Sequence, residues 1–363
     1  MDAVSSILCL VTGSAIPLLM IFLLIRRATR QLAVAGAYGD VSRRLGLEVD
    51  TRGLSLHGHL GAQRIWVGQV MVGHGPERRE LCWGVLDHER PLALGLLLRR
   101  RGLSERLWRR ARAPRVALPD LLDRAIEASG DDPHRVRTLL DAAAQEHLLK
   151  MLHRWRDVVV TDESVRVLLS QPLATAAELQ ELVDDLRGLS SALGSARAAV
   201  DPPDALTAVS AGLQAMARER DLDFHAEYPA AGGVLDGRRV YVGPVRTENN
   251  YTGILRLGFR PHRTLGLQVL PQTEPDGYWS VGQDIQVGDD AFDDAFVVKG
   301  YDPQAVRELL TPELRAALCA LIASGARLEV DDVRMSLTGA PLDADELERL
   351  LKIAETAAGH IGW

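Results

Sequence analysis

Cysteine is scarce in this chain of 363 residues. The three that occur, Cys9, Cys82 and Cys319, are odd in number, lie far apart and match no metal-binding spacing. Free cysteines of this kind are most often buried, reduced thiols. We therefore expect three isolated thiols and no cysteine-based metal site.

Recognisable catalytic motifs are also missing. The sequence contains no glycine-rich phosphate loop, no G-x-S-x-G elbow and no HExxH helix. Ten histidines are present, but only His57 and His59 share a face of a predicted strand, and spacing places no third ligand beside them. We therefore predict no catalytic residue, no metal and no cofactor, with an unfamiliar enzyme as the alternative.

Excess positive charge is absent as well. The formal net charge is -7 and the pI is near 5.8, whereas general nucleic-acid binding needs a basic face over most of a domain. Nucleic acid is therefore an improbable partner. With 47% hydrophobic and 25% charged residues, the chain has the composition of a globular protein long enough for two domains.

One long apolar run stands near the N-terminus. From Ile7 to Ile25 there is no charged residue, and a helix of this length reaches about 28 Å, close to the thickness of a bilayer core. Three arginines follow it: Arg26, Arg27 and Arg30. The sequence predicts a single-pass membrane anchor, with the rest of the chain cytoplasmic by the positive-inside rule. A cleaved signal peptide is the competing interpretation, but the first six residues lack Lys and Arg.

The rest of the chain is a duplication. "GDDPHRVRTLL" at Gly130 to Leu140 returns as "GYDPQAVRELL" at Gly300 to Leu310, and nine of the eighteen positions ending at these leucines are identical. About one identity would be expected by chance. Upstream, "RIWVGQV" returns as "RVYVGPV" 175 positions later. We predict an anchor over residues 1–26, a first module over 27–200 and a second over 204–363.

Each copy has the same local signals. Short alternating apolar stretches predict a β-meander, and Asp132 or Asp302 followed by proline predicts an N-capped helix start. A β-hairpin follows, and then a last helix whose capping box is Thr175 with Glu178, or Asp343 with Glu346. The predicted fold class is α+β, with an N-terminal transmembrane helix and two tandem meander-helix-hairpin-helix modules.

The copies differ most in charge, in one loop region. The first copy has a basic segment and the second an acidic one. The candidate lipid or partner contacts are Arg99, Arg100, Arg101, Arg106, Trp108, Arg109, Arg110 and Arg112, and their acidic counterparts are Glu274, Asp276, Asp284, Asp289 and Asp290. The basic segment could lie on anionic lipid, pair with the acidic loop within or between chains, or be a solvated loop.

The second copy also resembles a known kind of module. Its F-D-x-x-F-x-V phrase, at Phe292, Asp293, Phe296 and Val298, precedes "LLTPEL" at residues 309–314. This resembles a module of uncharacterised bacterial proteins that often follows membrane spans. The resemblance implies a bacterial protein anchored in the inner membrane, and it brings no activity. The first copy departs from the pattern, with isoleucine at the second aromatic position.

Together these features predict a membrane-anchored, non-catalytic binding or scaffolding protein with a protein partner or self-association. The alternative is an unrecognised enzyme or small-ligand sensor that uses the cleft between the two modules. A deep cleft with convergent polar groups from both copies would favour the alternative.

Overall fold

The fold is known from a computed structural model. It describes residues 25–26, 28–29, 31–50, 55–72, 79–101, 114–155, 157–169, 172–247, 250–259, 265–272 and 284–361.

Within these residues the chain is α+β, with two antiparallel sheets. The helices are α1 (residues 31–45), α2 (Asp120–Ala125), α3 (Pro133–Leu139), α4 (Ala142–Arg154), α5 (Ala176–Arg197), α6 (Asp204–Glu219), α7 (Asp290–Ala295), α8 (Pro303–Leu309), α9 (Pro312–Ile322) and α10 (Ala344–Ile361). The first sheet contains β1 (Glu48–Asp50), β2 (Ser55–Leu60), β3 (Gln63–Val72), β4 (Arg79–Asp87), β5 (Leu97–Arg100), β6 (Arg115–Val116), β7 (Ile126–Ser129), β8 (Asp157–Thr161) and β9 (Ser164–Leu169). The second contains β10 (Asp223–His225), β11 (Ala230–Leu235), β12 (Arg238–Arg246), β13 (Tyr251–Gly258), β14 (Gln268–Pro271), β15 (Phe296–Lys299), β16 (Arg327–Asp331) and β17 (Arg334–Ala340).

The two sheets have equivalent strand orders, except that the first sheet has one additional edge strand, β6. The first runs β1-β2-β3-β4-β9-β8-β5-β7-β6 and the second β10-β11-β12-β13-β17-β16-β14-β15. The first four strands of each sheet form the predicted meander. The next strand, β5 or β14, does not continue it, because the later hairpin inserts beside β4 or β13. We call α1 to α5 with the first sheet the first module, and α6 to α10 with the second sheet the second module.

Each module has its own hydrophobic core between its sheet and its helices. In the first, Tyr38 and Val41 of α1 pack with Leu182 and Leu186 of α5 against the sheet. In the second, helices α6, α9 and α10 supply the corresponding apolar faces. Helices thus cover one face of each sheet and leave the opposite face available for other contacts.

The four predicted N-cap residues are confirmed. Asp132 accepts hydrogen bonds from the backbone N–H groups of His134 and Arg135, and Asp302 accepts the equivalent pair at the start of α8. Thr175 and Asp343 each accept from the backbone N–H three residues on, at the starts of α5 and α10. These side chains satisfy amides that the first helical turn leaves without partners.

The glycine that opens the repeated motif has a packing role in both copies. A Cβ on Gly300 would lie 2.6 Å from Cγ2 of Val306 and 3.2 Å from the carbonyl oxygen of Leu265. On Gly130 it would lie 2.4 Å from Cγ2 of Val136. The first turn of the helix therefore folds back onto a backbone that has no room for a side chain.

The predicted transmembrane helix is wrong. Residues 7–24 of the predicted span lie outside the described residues, and no helix in the described part of the chain is long and apolar enough to cross a membrane. The 22-residue α5, for example, has charged side chains such as Glu181, Asp184 and Arg187 along its length. We therefore correct the fold class to α+β with two antiparallel sheets. The single-pass inner-membrane location rested on this helix and is corrected with it. The membrane contact predicted at Ile7–Ile25 concerns residues of which only Ile25 is described, and it stays a prediction.

Gly300→Ala should lower the free energy of unfolding by about 1–3 kcal/mol, because the added methyl group overpacks the contact with Val306. The matched control is Gly194→Ala on the exposed side of α5, where nothing lies within 4 Å of a new Cβ. That change should raise stability by up to about 1 kcal/mol through helix propensity. Urea unfolding measures both variants, and equal shifts would contradict the packing role.

Candidate functional site: the cleft between the modules

The two modules meet on the outer face of the second sheet, the face away from its helices. Along β12 and β13, Val242 and Leu255 point into the second module's core, whereas Tyr241 and Ile254 point the other way. The outward residues pack with Ala93 of the first module in a small apolar cluster. Successive side chains of a strand point to opposite faces of the sheet. Alternate residues of β12 and β13 therefore contribute to the module's core and to the junction between the modules.

A cavity of about 620 Å³ lies beside this cluster and is lined by both modules. Its floor is the outer sheet face, including Gly232 of β11 and Gly258 of β13, whose missing side chains leave the space open. The wall comes from the first module: His59 with the β2–β3 turn, and Glu89 and Arg90 after β4. Ligand sites commonly enclose about 300–1,000 Å³, so the cavity has the size of a small-molecule site.

The charges lining the cavity are mainly positive. Four arginines outnumber two carboxylates, and two histidines accompany them: Arg90, Arg239, Arg256 and Arg334, Glu89 and Asp223, His59 and His225. The chain as a whole carries a formal charge of -7. A concave site whose charge opposes that of the molecule concentrates ligands of the opposite sign.

Ion pairs join the modules at the inner end of the cavity. Asp87 of the first module accepts from Nε of its own Arg64 at 3.1 Å and from Arg334 of the second module at 2.7 Å. Arg64 also reaches Asp331 of the second module at 3.0 Å. Burial raises the pKa of the Asp87 carboxyl, but Arg64 and Arg334 outweigh it and hold the pKa well below its usual range. Asp87 is therefore ionised at neutral pH.

Two buried arginines on the cavity floor have incomplete hydrogen bonding. Arg256 is 9% exposed, and the hydrogen bond that its guanidinium donates to the carbonyl oxygen of His88 is long, at 3.5 Å. The Nε–H groups of Arg256 and of Arg334 have no acceptor. Burial lowers the pKa of Arg334 to about 10, and repulsion from Arg64 and Arg256 acts in the same direction, against Asp87. The positive charges of these two arginines are thus only partly balanced by nearby carboxylates and hydrogen-bond acceptors.

His88 links the cleft wall to the core of the first module. Its Nε2 lies 3.1 Å from the carbonyl oxygen of Thr161, which can only accept, so Nε2 carries the proton. Nδ1 therefore accepts from the Ser190 hydroxyl at 2.8 Å, and Ser190 in turn accepts from the Gln63 amide. Burial lowers the pKa of His88 to about 4. The imidazole is neutral at pH 7, as the direction of this network requires.

A buried aspartate fixes the loop that forms the wall. Asp162 accepts from the backbone N–H groups of Leu94, Gly95 and Leu96 at 2.8–3.1 Å, and Asp332 makes the equivalent bonds in the second module. Burial raises the pKa of each carboxyl to about 6, against the N–H donors that lower it. Each module therefore ties its central loop to its hairpin turn in the same way.

A second polar contact lies on the far side of the apolar cluster. Asp131, inside the repeated motif, accepts from Arg246 at 2.5 and 3.1 Å and from the Tyr251 hydroxyl at 3.2 Å. The second copy has Tyr301 at this position. Nearby, the Arg197 guanidinium lies 5.0 Å from the ring centroid of Tyr228. The motif position that changes from aspartate to tyrosine is thus one of the places where the first module bonds to the second.

The predicted basic and acidic segments are described only in part. Arg106, Trp108, Arg109, Arg110 and Arg112 fall outside the described residues, as do Glu274 and Asp276. Arg99 and Arg100 lie in β5 and Arg101 follows it; Arg99 pairs with Glu127 and Arg101 with Asp123, both in the first module. Asp284 accepts from the backbone N–H of Val298, Asp289 caps α7 and pairs with Arg315, and Asp290 begins α7. Lipid or partner contact by these segments stays a prediction.

Sequence reasoning missed the residues of the cleft. Arg256 and Arg334 stand in strands with apolar neighbours and carry no motif, and Asp87 ends a strand as many turn residues do. A signal was present in the comparison between copies, because the strand registers place Asp87 opposite Ser164 and Gly258 opposite Arg334 at equivalent points of the two sheets. In the described part of the chain, no group of three or more His, Cys, Asp or Glu residues could hold a metal ion.

Comparisons with known proteins add little. No family model matches the chain. No curated protein matches it either. Among solved structures there is a similarity to the mycobacterial trehalose monomycolate transport factor A, TtfA, with a TM-score of 0.33 and 7% identity over 42% of this chain and 94% of that one. A similarity at this level supports no inference about this chain, and the resemblance to uncharacterised membrane-anchored proteins stays a prediction.

Asp87→Asn should lower the free energy of unfolding by about 3 kcal/mol, because Arg64 and Arg334 would lose the charge that they share. Urea denaturation at pH 7 measures the change. Asp201→Asn, at an exposed position between the modules, is the control and should change stability by no more than about 0.5 kcal/mol. A loss below about 1 kcal/mol for Asp87→Asn would show that the ion pairs do not stabilise the junction.

Neutral His88 should make stability depend on pH. Its pKa falls from 6.5 to about 4 on folding, so its contribution is complete above pH 6.5 and is lost as the pH falls toward 4. The loss amounts to about 3 kcal/mol. The difference in unfolding free energy between the natural protein and His88→Gln should therefore shrink over this range. A difference that stays constant from pH 7 to pH 4 would rule out a buried neutral imidazole.

Proposed function

We propose that this protein binds a small molecule in the cleft between its two modules, as a ligand-binding protein or sensor. The observation that carries the proposal is the cavity of about 620 Å³, to which both modules contribute polar side chains. The duplicated fold explains how such a site arises, since two copies of one module create a junction that neither has alone.

The construction of the cleft supports a binding role. Its floor is a sheet and its wall is a loop held by Asp162, so the site is formed by rigid elements. Glycines at 232 and 258 keep the floor open, although Gly258 has room for a Cβ, whose nearest neighbour would be 3.6 Å away. Sheet packing therefore does not require glycine there, and the missing side chain enlarges the cavity.

The scaffolding hypothesis stays a prediction. It depends on the basic segment of the first copy, of which residues 102–113 lie outside the described residues. The cleft, by contrast, is formed by described residues with known neighbours. Ligand binding is therefore the function that the geometry supports best.

Gly258→Leu should fill the cavity and abolish ligand binding while the fold is kept, because its Cβ meets only ordinary van der Waals contacts. The control is Gly36→Leu, which adds the same side chain at an exposed position of α1 where nothing lies within 4 Å. Both variants and the natural full chain are melted with a panel of neutral, cationic and anionic small molecules. At least one class should raise the Tm of the natural protein and of Gly36→Leu but not that of Gly258→Leu.

Two results would overturn the proposal. In one, no molecule in the panel raises the Tm of the natural protein. In the other, every molecule that does so raises the Tm of Gly258→Leu by the same amount. Circular dichroism of each variant before melting confirms that the comparison is made between folded proteins.

A further inference from the structure

We propose that the ligand of the cleft is an oxyanion, a small molecule carrying a phosphate or carboxylate group, bound between Arg256 and Arg334. This inference rests on the proposed function and adds the chemical class of the ligand. Its basis is the pair of buried guanidinium groups on the cavity floor, each with an Nε–H that lacks an acceptor.

The two arginines are placed to act on one group. In the register between β13 and β17, Arg256 lies opposite Ser336, and Arg334 lies opposite Gly258. Arg256 and Arg334 are therefore diagonal neighbours on the same face of the sheet. Diagonal neighbours on adjacent strands lie about 7–8 Å apart. Long side chains at this separation can converge on one bound group, and guanidinium groups match phosphate and carboxylate oxygens in geometry.

Protein carboxylates do not already fill this role. Asp87 is shared between Arg64 and Arg334, and Asp331 bonds to Arg64. Arg256 donates only its long bond to the carbonyl oxygen of His88. These five side chains comprise three cations and two anions, so one bound oxyanion would balance the charge.

The surroundings of Arg256 also indicate that this residue contributes to binding and not to stability. A buried arginine next to two other arginines and without an ion-pair partner opposes stability. Stability that is given up locally is typical of residues kept for function. The equivalent residue in the first module is Val85, which shows that the fold itself accepts an apolar side chain at this point of the sheet.

The test uses the purified full chain in a buffer free of phosphate, sulfate and carboxylates. Inorganic phosphate, pyrophosphate and citrate are added separately, with sodium chloride holding the ionic strength constant. The Tm and the heat of binding are measured for the natural protein, for Arg256→Gln and for Arg218→Gln. Arg218 is an exposed arginine in α6, so its variant removes the same charge far from the cleft.

At least one of the three anions should raise the Tm of the natural protein and of Arg218→Gln saturably. For Arg256→Gln the affinity should fall at least tenfold, while its Tm without added anion stays equal to or above that of the natural protein. Pyrophosphate and citrate distinguish a phosphate ligand from a carboxylate ligand. Retained Tm excludes simple misfolding as the cause of lost binding.

Three outcomes would overturn the inference: no saturable effect of any anion, equal binding by all three proteins, or equal loss in Arg218→Gln and Arg256→Gln. The small-molecule panel then decides the fate of the proposed function. If a neutral or cationic molecule raises the Tm and Gly258→Leu abolishes the effect, the cleft binds a ligand of another class. If none does, both proposals fail.

Discussion

The junction between the two modules contains one buried carboxylate that arginines of both modules share. Asp87 ends a strand of the first sheet, yet it neutralises Arg64 of its own module and Arg334 of the other. Both modules could form their cores without it, since each core lies between its own sheet and helices. Asp87 holds the outer face of the second sheet against the first module, together with the contacts of Arg64 with Asp331 and of Asp131 with Arg246.

The local parts of this fold follow from local sequence. The helix starts at Asp132 and Asp302 were predictable because a capping side chain and its proline act within one turn. The place of β5 was not predictable. It pairs with β7 and β8 instead of β4, and pairing between distant strands leaves no mark on the spacing of residues within each strand.

The candidate site shows a related contrast. The opposite charges of the basic and acidic segments did not indicate the residues of the cleft. Charged residues are common on protein surfaces, and they carry little information about contacts. The informative signal was a change of residue type at points where the folded copies superimpose by strand register: Asp87 and Gly258, Val85 and Arg256, Ser164 and Arg334. Finding it requires the strand register, which only the structure supplies.

The contact at Asp131 also limits how far this pattern can extend. It joins a loop of one copy to the sheet face of the next, and such head-to-tail contacts generate filaments if every unit can repeat them. Here the second copy has Tyr301 instead of the aspartate, and the first copy has Met71 and Glu80 at the strand positions of Arg246 and Tyr251. A further chain therefore finds neither half of the contact. The contact at Asp131 therefore joins the two modules of one chain and cannot repeat from one chain to the next.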